Sequence, residues 1–339
     1  METSVLSDLF KRFADRECRG SSPLYEQLSH RIAADEELLG MLTACKAGQP
    51  VPNLLLAAVH FLLILGRQHE VTQYYPSLTE QPRDPSSAFP AFKAFCFLHR
   101  NEIVRLLETK LVQTNEVRRC AYLYPAFCHI HRLAGKPLAL VEIGTSAGLQ
   151  LLWDQYRYRY NGADEYYGNP DSDFVIETTI RGANKPFLTR HSPPVASRIG
   201  IDLHVNRLQV KEDRVWLKAL IWPEHADRRN HFNAAARYFQ QHAVQLIEGD
   251  GIAYLDLITA DREHALCIFH THVANQLTKE AKKRLFDQIH RLGETRDVFH
   301  LYNNMWDAEL HLDSYIKGVH ASVTLAETDG HGRWFTWKL

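Results

Sequence analysis

The sequence feature that most constrains the fold of this chain is a short apolar run. It is followed by an acidic residue and then by three small residues at every second position. Residues 138–141 have the composition of a buried strand, and Glu142, Gly144, Ser146 and Gly148 follow before a helical pattern resumes. Glycine allows sharp backbone turns, so the spacing predicts a tight turn in which the main chain can approach a ligand. A strand, a turn and a helix in this order are typical of sheets that bind ligands at the carboxyl ends of their strands.

Two different patterns surround this unit. Up to about residue 134 the apolar residues recur with helical spacing, and beyond Gly-Lys-Pro at 135–137 strand patterns alternate with helical ones. We therefore expect a helical N-terminal domain, or cap, over residues 1–136 and an α/β domain with a mostly parallel sheet over residues 137–339. Turn signals and alternation within the second part predict a β-rich insertion at about residues 158–215.

Composition excludes several classes of protein. Lys and Arg number 39 against 40 for Asp and Glu, so the chain lacks the basic excess of a general nucleic-acid or membrane-surface binder. Its six cysteines form no C-x-x-C pair, which indicates reduced thiols. The most apolar run, residues 54–65, is too short to span a bilayer, and the N-terminus lacks a secretory pattern. We expect a cytoplasmic protein whose partner is a small-molecule or peptide-like substrate, with its oligomeric state open.

The glycine turn resembles the acid-x-G-x-G-x-G signature of class I S-adenosylmethionine-dependent methyltransferases, with Ser146 at the middle glycine. The resemblance implies a Rossmann-like sheet with S-adenosylmethionine as cofactor, and Glu142, Gly144, Ser146 and Gly148 around its amino acid end. NAD is not expected, because the G-x-G-x-x-G fingerprint would require glycine in place of Ser146 and Leu149.

Two other interpretations of the turn remain open. Residues 144–148 also form G-x-S-x-G, the nucleophile elbow of serine hydrolases, and histidines follow downstream. Several strands precede the elbow in that fold, whereas the preceding 136 residues of this chain look helical, so the order of elements disfavours a Ser146 hydrolase. The third interpretation is a non-catalytic binding module that retains the fold, since fold does not imply function.

Acids at the ends of later strands extend the methyltransferase interpretation. Asp202 ends a predicted strand and would bind ribose hydroxyls, and Asp250 lies in a Glu-Gly-Asp-Gly segment where a carboxylate would accept a hydrogen bond from the adenine amine. Asp164 and Glu165 are closer to the expected spacing for the ribose acid, but they lie in a predicted hairpin.

Histidines follow the next predicted strand. His270 or His272 would act as the base that deprotonates an acceptor, because imidazole titrates near neutral pH. An H-x-H pair on an extended segment can also bind a metal, but the sequence supplies no third ligand and we assign no metal.

Two polar turns are candidates for substrate contacts. Asn115 and Glu116 lie in the polar segment 113–119, which we expect to lean over the open end of the sheet, although a helix-capping turn would explain them equally. Trp222 begins a Trp-Pro-Glu turn and Arg228 follows it. An arginine in such a position can bind a carboxylate or phosphate, or it can form an ion pair on the protein surface.

The chain as a whole resembles an uncharacterised bacterial family, number 2332 among the domains of unknown function. The resemblance implies a helical N-terminal part fused to a methyltransferase-like sheet, and it implies neither a substrate nor a reaction. It rests on segments 21–25, 57–63, 75–76, 113–117, 141–152 and 221–223.

Overall fold

The computed structural model describes residues 2–43, 45, 48–258 and 263–339. It divides into two compact units, one of Met1–Thr114 with Leu208–Asn230 and one of Asn115–Arg207 with His231–Leu339. The α-helices of the described residues are α1 (Thr3–Phe13), α2 (Pro23–Ala33), α3 (Glu36–Leu42), α4 (Val51–Ile64), α5 (Phe89–Leu98), α6 (Arg100–Thr109), α7 (Cys120–Ala134), α8 (Lys211–Ala219), α9 (Ala226–Phe239), α10 (Gly251–Tyr254) and α11 (Lys279–Thr295).

The first unit is helical and is built around α4. This helix is apolar on every side and buried along almost its whole length, as expected of a core helix. Ser22 caps α2 by accepting a hydrogen bond of 3.2 Å from the Tyr25 N–H. No helix among the described ranges is both long and apolar enough to cross a membrane.

Helices α7 and α8 lie in different units from those that the predicted boundary at residue 136 implies. In α8, Trp216 is buried in the core of the helical unit and its indole N–H donates 2.9 Å to the Leu111 carbonyl. Phe127 of α7 instead stacks on Trp153 at 4.5 Å and meets Phe269 of the sheet edge to face at 5.3 Å. Each helix therefore belongs to the unit that buries its apolar face.

The second unit contains one sheet of eleven strands in the described residues. Its order is β3-β2-β4-β11-β10-β9-β8-β7-β1-β5-β6. The strands are β1 (Leu138–Ile143), β2 (Arg157–Tyr160), β3 (Tyr167–Gly168), β4 (Val175–Arg181), β5 (Val195–Asp202), β6 (Gln245–Glu248), β7 (Ala265–His270), β8 (Val298–Tyr302), β9 (Glu309–Ile316), β10 (Val319–Thr328) and β11 (Trp334–Trp337).

Five neighbouring strands, β6, β5, β1, β7 and β8, are parallel to one another. Numbered by their order in the chain, these strands lie across the sheet in the order 3-2-1-4-5. The chain therefore adds strands on one side of β1 first and then, from β7 onward, on the other side. The carboxyl ends of parallel strands meet at one edge, and in sheets of this order ligands bind at the point of reversal, between β1 and β7, which we call the crevice. This arrangement places the turn after β1 at the crevice.

The other half of the sheet is antiparallel in part and includes most of the predicted insertion. Strands β8 to β11 pair antiparallel in succession, and β4 pairs parallel with β11. Strands β2 to β4 thus extend the far edge, whereas β5 lies beside β1. The predicted insertion at about residues 158–215 is therefore not one segment: it contributes to both ends of the sheet, and α8 lies in the helical unit.

Candidate functional site

Three residues of the turn after β1 have left-handed backbone angles. The φ angles are +73° at Gly144, 51° at Ser146 and 74° at Gly148. A Cβ atom on Gly144 would lie 2.3 Å from Val273 Cγ2, and one on Gly148 would lie 3.0 Å from Leu246 Cδ2. The two glycines therefore serve a tight turn and close packing within the protein.

All five backbone N–H groups of the turn donate to groups of the protein. The turn therefore offers no free main-chain N–H to a ligand, in contrast to the expected approach of bare backbone to a cofactor. The acceptors are Ile201 O for Gly144 (2.8 Å) and Thr145 (3.2 Å), Asp202 Oδ2 for Ser146 (2.7 Å), Asn115 Oδ1 for Ala147 (3.4 Å) and Thr145 O for Gly148 (2.9 Å).

Ser146 is held by two side-chain amides. Asn115 Nδ2 donates 2.7 Å and Asn206 Nδ2 donates 2.9 Å to its Oγ, and both Ser146 and Asn206 are buried. We name Asn115, Ser146 and Asn206 the amide clamp. No imidazole is among the contacts of this hydroxyl in the described residues, so the geometry lacks the base that a nucleophilic serine requires.

Glu142, at the end of β1, is buried with 4% of its surface exposed. Its Oε2 accepts a hydrogen bond of 2.5 Å from Thr145 Oγ1. Burial raises the pKa of this carboxyl to about 8, with a further increase from the nearby Asp202 charge, while the Thr145 hydrogen bond and Arg119 act in the opposite direction. Glu142 is therefore largely protonated at neutral pH and can donate as well as accept a hydrogen bond.

Asp202 is the last residue of β5, and Asp250 follows β6 by two residues. Asp202 Oδ1 accepts 3.0 Å from the His204 N–H, while its Oδ2 bonds the glycine turn. Asp250 caps α10 through a hydrogen bond of 2.8 Å from the Ile252 N–H, and its Oδ2 lies 3.4 Å from Arg284 Nη2. Both carboxylates stand at the carboxyl edge of the sheet, and Asp202 directly contacts the turn.

His270 and His272 have different surroundings. His270 is buried, and its Nε2 lies 3.1 Å from Nε2 of His300, which is also buried. Burial lowers the pKa of His270 to about 4, and burial together with Arg119 lowers that of His272 to about 3. The His272 N–H donates 2.8 Å to Asn303 Oδ1. The interior position of His270 prevents its ring from meeting a substrate in this conformation.

The one group of three potential metal ligands within the described ranges lies elsewhere, at Asp307, Glu309 and His311. His311 Nε2 lies 2.8 Å from Asp307 Oδ1, and the Lys338 ammonium bonds Glu309. An ammonium group thus neutralises one of the carboxylates that a metal would need. His270 and His272 take no part in this group.

Asn115 and Glu116 do lie at the crevice edge. Asn115 belongs to the amide clamp, and Glu116 is 2% exposed, with its Oε2 3.3 Å from His331 Nδ1. The neighbouring Arg119 donates 2.9 Å from Nε to the Gly330 carbonyl. The polar segment 113–119 therefore connects the turn after β1 with the turn between β10 and β11.

Trp222 and Arg228 lie in the helical unit. The Trp222 indole N–H donates 3.2 Å to Asn53 Oδ1, and its ring stacks on His225 at 5.3 Å. Arg228 Nη1 lies 3.3 Å from His225 Nδ1. Within that unit these contacts organise the segment after α8, and the substrate role of Trp222 and Arg228 stays a prediction.

Sequence reasoning missed three residues at the crevice edge, Asn206, Asn303 and His331, and it included Arg119 only as part of the segment 113–119. His331 could have been noticed from the sequence, because it lies between Gly330 and Gly332 in a predicted hairpin turn. Glycines there allow backbone angles that other residues rarely adopt. Asn206 and Asn303 had no such local signal, since each acts through residues that are distant in the sequence.

Comparison with known proteins places the chain in a family without assigning an activity. No curated protein and no solved structure matches it. The family described as "Uncharacterized protein conserved in bacteria (DUF2332)" matches residues 7–337. Because that match covers nearly the whole chain, the protein belongs to the bacterial family DUF2332.

Proposed function

We propose that this protein is an S-adenosylmethionine-dependent methyltransferase that acts on a small or peptide-like acceptor. The observation that supports this most is the position of Glu142 and Asp202 on adjacent parallel strands, with Asp202 bonded to the Ser146 N–H of the turn that follows Glu142, at the point where the strand order reverses. The 3-2-1-4-5 order is that of Rossmann-like sheets, in which nucleotide cofactors bind at this point. The glycine turn resembles the methyltransferase signature at the same position.

The acids at this edge fit the nucleoside part of the cofactor. Asp202 contacts the turn, so ribose hydroxyls bound to it would lie beside the backbone of residues 144–148. Asp250 is exposed and anchored by α10, and its carboxylate can accept a hydrogen bond from an exocyclic amine. When bound, S-adenosylmethionine supplies an electrophilic methyl group on a sulfonium.

The amide clamp would hold the amino acid end of the cofactor. Binding there requires Asn115 or Asn206 to release Ser146, after which the freed amide would donate to a ligand carboxylate. The protonated Glu142 carboxyl stabilises the buried side of the turn through Thr145. These residues would orient the ligand, and exclusion of water from the crevice would support methyl transfer.

Isothermal titration with S-adenosylmethionine and S-adenosylhomocysteine tests the proposal. We expect saturable binding, weakened at least tenfold, or about 1.4 kcal/mol, in Asp202→Asn. Asp171→Asn, an exposed aspartate on the β3–β4 connection, is the matched control and should bind normally. Absence of heat and of a thermal shift at millimolar ligand would contradict the proposal.

A non-catalytic binding module is the second candidate, and the internal hydrogen bonding of the whole turn favours it. Cofactor binding without methyl transfer to a panel of amino acids and peptides would support this candidate. A Ser146 hydrolase is disfavoured by the clamp, and fluorophosphonate labelling that disappears in Ser146→Ala would revive it. The proposal includes a cytoplasmic location, which the six unpaired cysteines favour.

A further inference from the structure

A cavity of about 230 Å³ lies at the edge of the sheet opposite the crevice. Its wall includes residues just before three neighbouring parallel strands, namely Lys136 before β1, His264 before β7 and Asp297 before β8. Parallel strands begin at one edge and end at the other, so this cavity is separate from the crevice. We name it the amino-end cavity. The last turn of α11 and the turn between β9 and β10 complete its wall.

The side chains around the amino-end cavity carry more positive than negative charge. Among the described residues that line it, the two acids are Glu294 and Asp297, and Asp297 Oδ2 lies 4.0 Å from Lys136 Nζ. The carboxyl end of α11 adds a partial negative charge of about half an elementary charge. Three cationic side chains outweigh these negative charges, and they are Lys136, Arg296 and Lys317. The cavity therefore favours an anion.

Lys317 has a backbone conformation that lysine rarely adopts. With Gly318 it forms the two-residue connection between β9 and β10, and the φ angles are 52° and 79°. Both positions of such a turn need positive φ, which favours Asn, Asp or Gly at the first position. The Lys317 N–H donates 2.8 Å to Asp297 Oδ1, so the turn is fixed beside the start of β8. Residues in such strained conformations are concentrated at ligand-binding sites.

Arg296 and Lys136 lie on other elements of the same wall. Arg296 follows α11 directly, and its Nη2 donates 3.2 Å to the His264 carbonyl at the start of β7. The Lys136 side chain is 42% exposed, so an ion from solvent can reach it. The three cations thus come from three separate segments of the chain, each anchored at the beginning of a strand or at a turn.

We propose that the amino-end cavity binds a phosphate group, with Lys136, Arg296 and Lys317 as donors of charge-assisted hydrogen bonds to its oxygens. The planar guanidinium can donate two parallel hydrogen bonds to such a group, and the ammonium groups add point charges. The cavity is smaller than the roughly 300–1,000 Å³ typical of drug-sized ligands. The ligand is therefore free phosphate or the phosphate group of a small metabolite. This inference goes beyond the proposed function and does not depend on it.

Isothermal titration with inorganic phosphate, at constant ionic strength in chloride, is the first test. We expect saturable binding that is about fivefold weaker in Lys317→Gln and in Lys136→Gln. Lys279→Gln removes the same charge from an exposed lysine at the other end of α11, so it is the matched control and should bind normally. Absence of saturable binding at millimolar phosphate, or equal affinities in Lys317→Gln and Lys279→Gln, would overturn the proposal.

Protection of lysines from acylation is the second test, and it uses the unaltered protein. An N-hydroxysuccinimide ester labels amines, and mass spectrometry locates the modified residues. Saturating phosphate should slow the labelling of Lys136 and Lys317 several-fold and leave that of Lys279 unchanged. Labelling rates at Lys136 and Lys317 that do not respond to phosphate would place any bound ion elsewhere and refute the site.

Glycerol 3-phosphate distinguishes the two sources of the phosphate group. If it binds more tightly than inorganic phosphate and protects the same lysines, the ligand is a phosphorylated metabolite. If inorganic phosphate binds more tightly, the ligand is the free ion. Binding of neither contradicts the proposal. Titration with S-adenosylhomocysteine reports on the opposite edge of the sheet, so its result leaves this inference unaffected.

Discussion

The side-chain amide of Asn115 donates a hydrogen bond of 2.7 Å to Ser146 Oγ across 31 residues of sequence. Asn206 donates to the same oxygen, so a single hydroxyl satisfies two amides. Ser146→Ala removes this shared acceptor, so both amides lose the hydrogen bond to Ser146 Oγ. Because unsatisfied polar groups are costly to bury, we expect a loss of about 2 kcal/mol in the free energy of unfolding. Urea denaturation measures it, with the exposed Ser197→Ala as control; a loss as small as that of the control would contradict the clamp.

Gly144→Ala should destabilise the protein through Val273. The new Cβ would lie 2.3 Å from Val273 Cγ2, and the +73° φ angle disfavours alanine. We expect a loss of roughly 2–4 kcal/mol from overpacking and backbone strain together. Val273→Ala in the same chain should recover the packing part and leave the backbone part. Equal stability of the single and double variants, by urea denaturation, would show that Val273 is not the obstacle. A larger residue at 144 therefore tests folding rather than cofactor binding.

Glu142 should make the free energy of unfolding depend on pH. Its pKa is about 8 in the folded protein against an ordinary value of 4.5 for a solvated glutamate, so the folded state keeps a proton that the unfolded state has lost. The contribution to stability is complete below pH 4.5 and is lost as pH rises toward 8, by at most about 1.4 kcal/mol per pH unit.

The window from pH 6.5 to 8 isolates this effect, because the lowered pKa of His270 has its influence below 6.5. Glu142→Gln should flatten the decline in this window, and the exposed Glu327→Gln should not. Urea denaturation at several pH values gives the slopes, and identical slopes for Glu142→Gln and the unaltered protein would contradict the burial of the proton.

The ion pair of Arg198 and Asp154 holds β5 to the segment after the glycine turn. Its N–O distance is 2.5 Å, and the two side chains are 13% and 6% exposed. Asp154→Ala leaves a nearly buried guanidinium without its carboxylate, so we expect a loss of about 3–5 kcal/mol. Adding Arg198→Met should restore part of it, since the uncompensated charge is then gone. A double variant whose loss equals the sum of the single losses would argue against coupling.

The parallel half of the sheet could be predicted because its signals are local. Apolar runs bounded by glycines and acids mark β1, β5, β6, β7 and β8, and helical periodicity marks the segments between them. The sequence also indicates that residue 144 must be glycine. The structural reason is close packing against Val273 and not the approach of a cofactor. Local sequence patterns indicate which secondary-structure element forms, but they say little about which residues pack against that element.

The remaining features depend on contacts between distant segments. Strand β9 lies between β8 and β10 and pairs antiparallel with both, and no local sequence rule sets its register with β8. The contact of Glu116 with His331 joins residues that no local rule connects. Ser146 and His272 adopt positive φ angles that only tertiary contacts can impose on such residues.

The pairing of β4 with β11 has a consequence for how the chain is made. Strand β4 (Val175–Arg181) pairs on one side with β11 (Trp334–Trp337), which comes much later in the sequence. During synthesis the ribbon of β2, β3 and β4 must wait, with one flank unpaired, until β11 has been made. Such late closure makes assembly slow and exposes an open strand edge meanwhile. Removal of β11 would leave the protein in that aggregation-prone condition permanently.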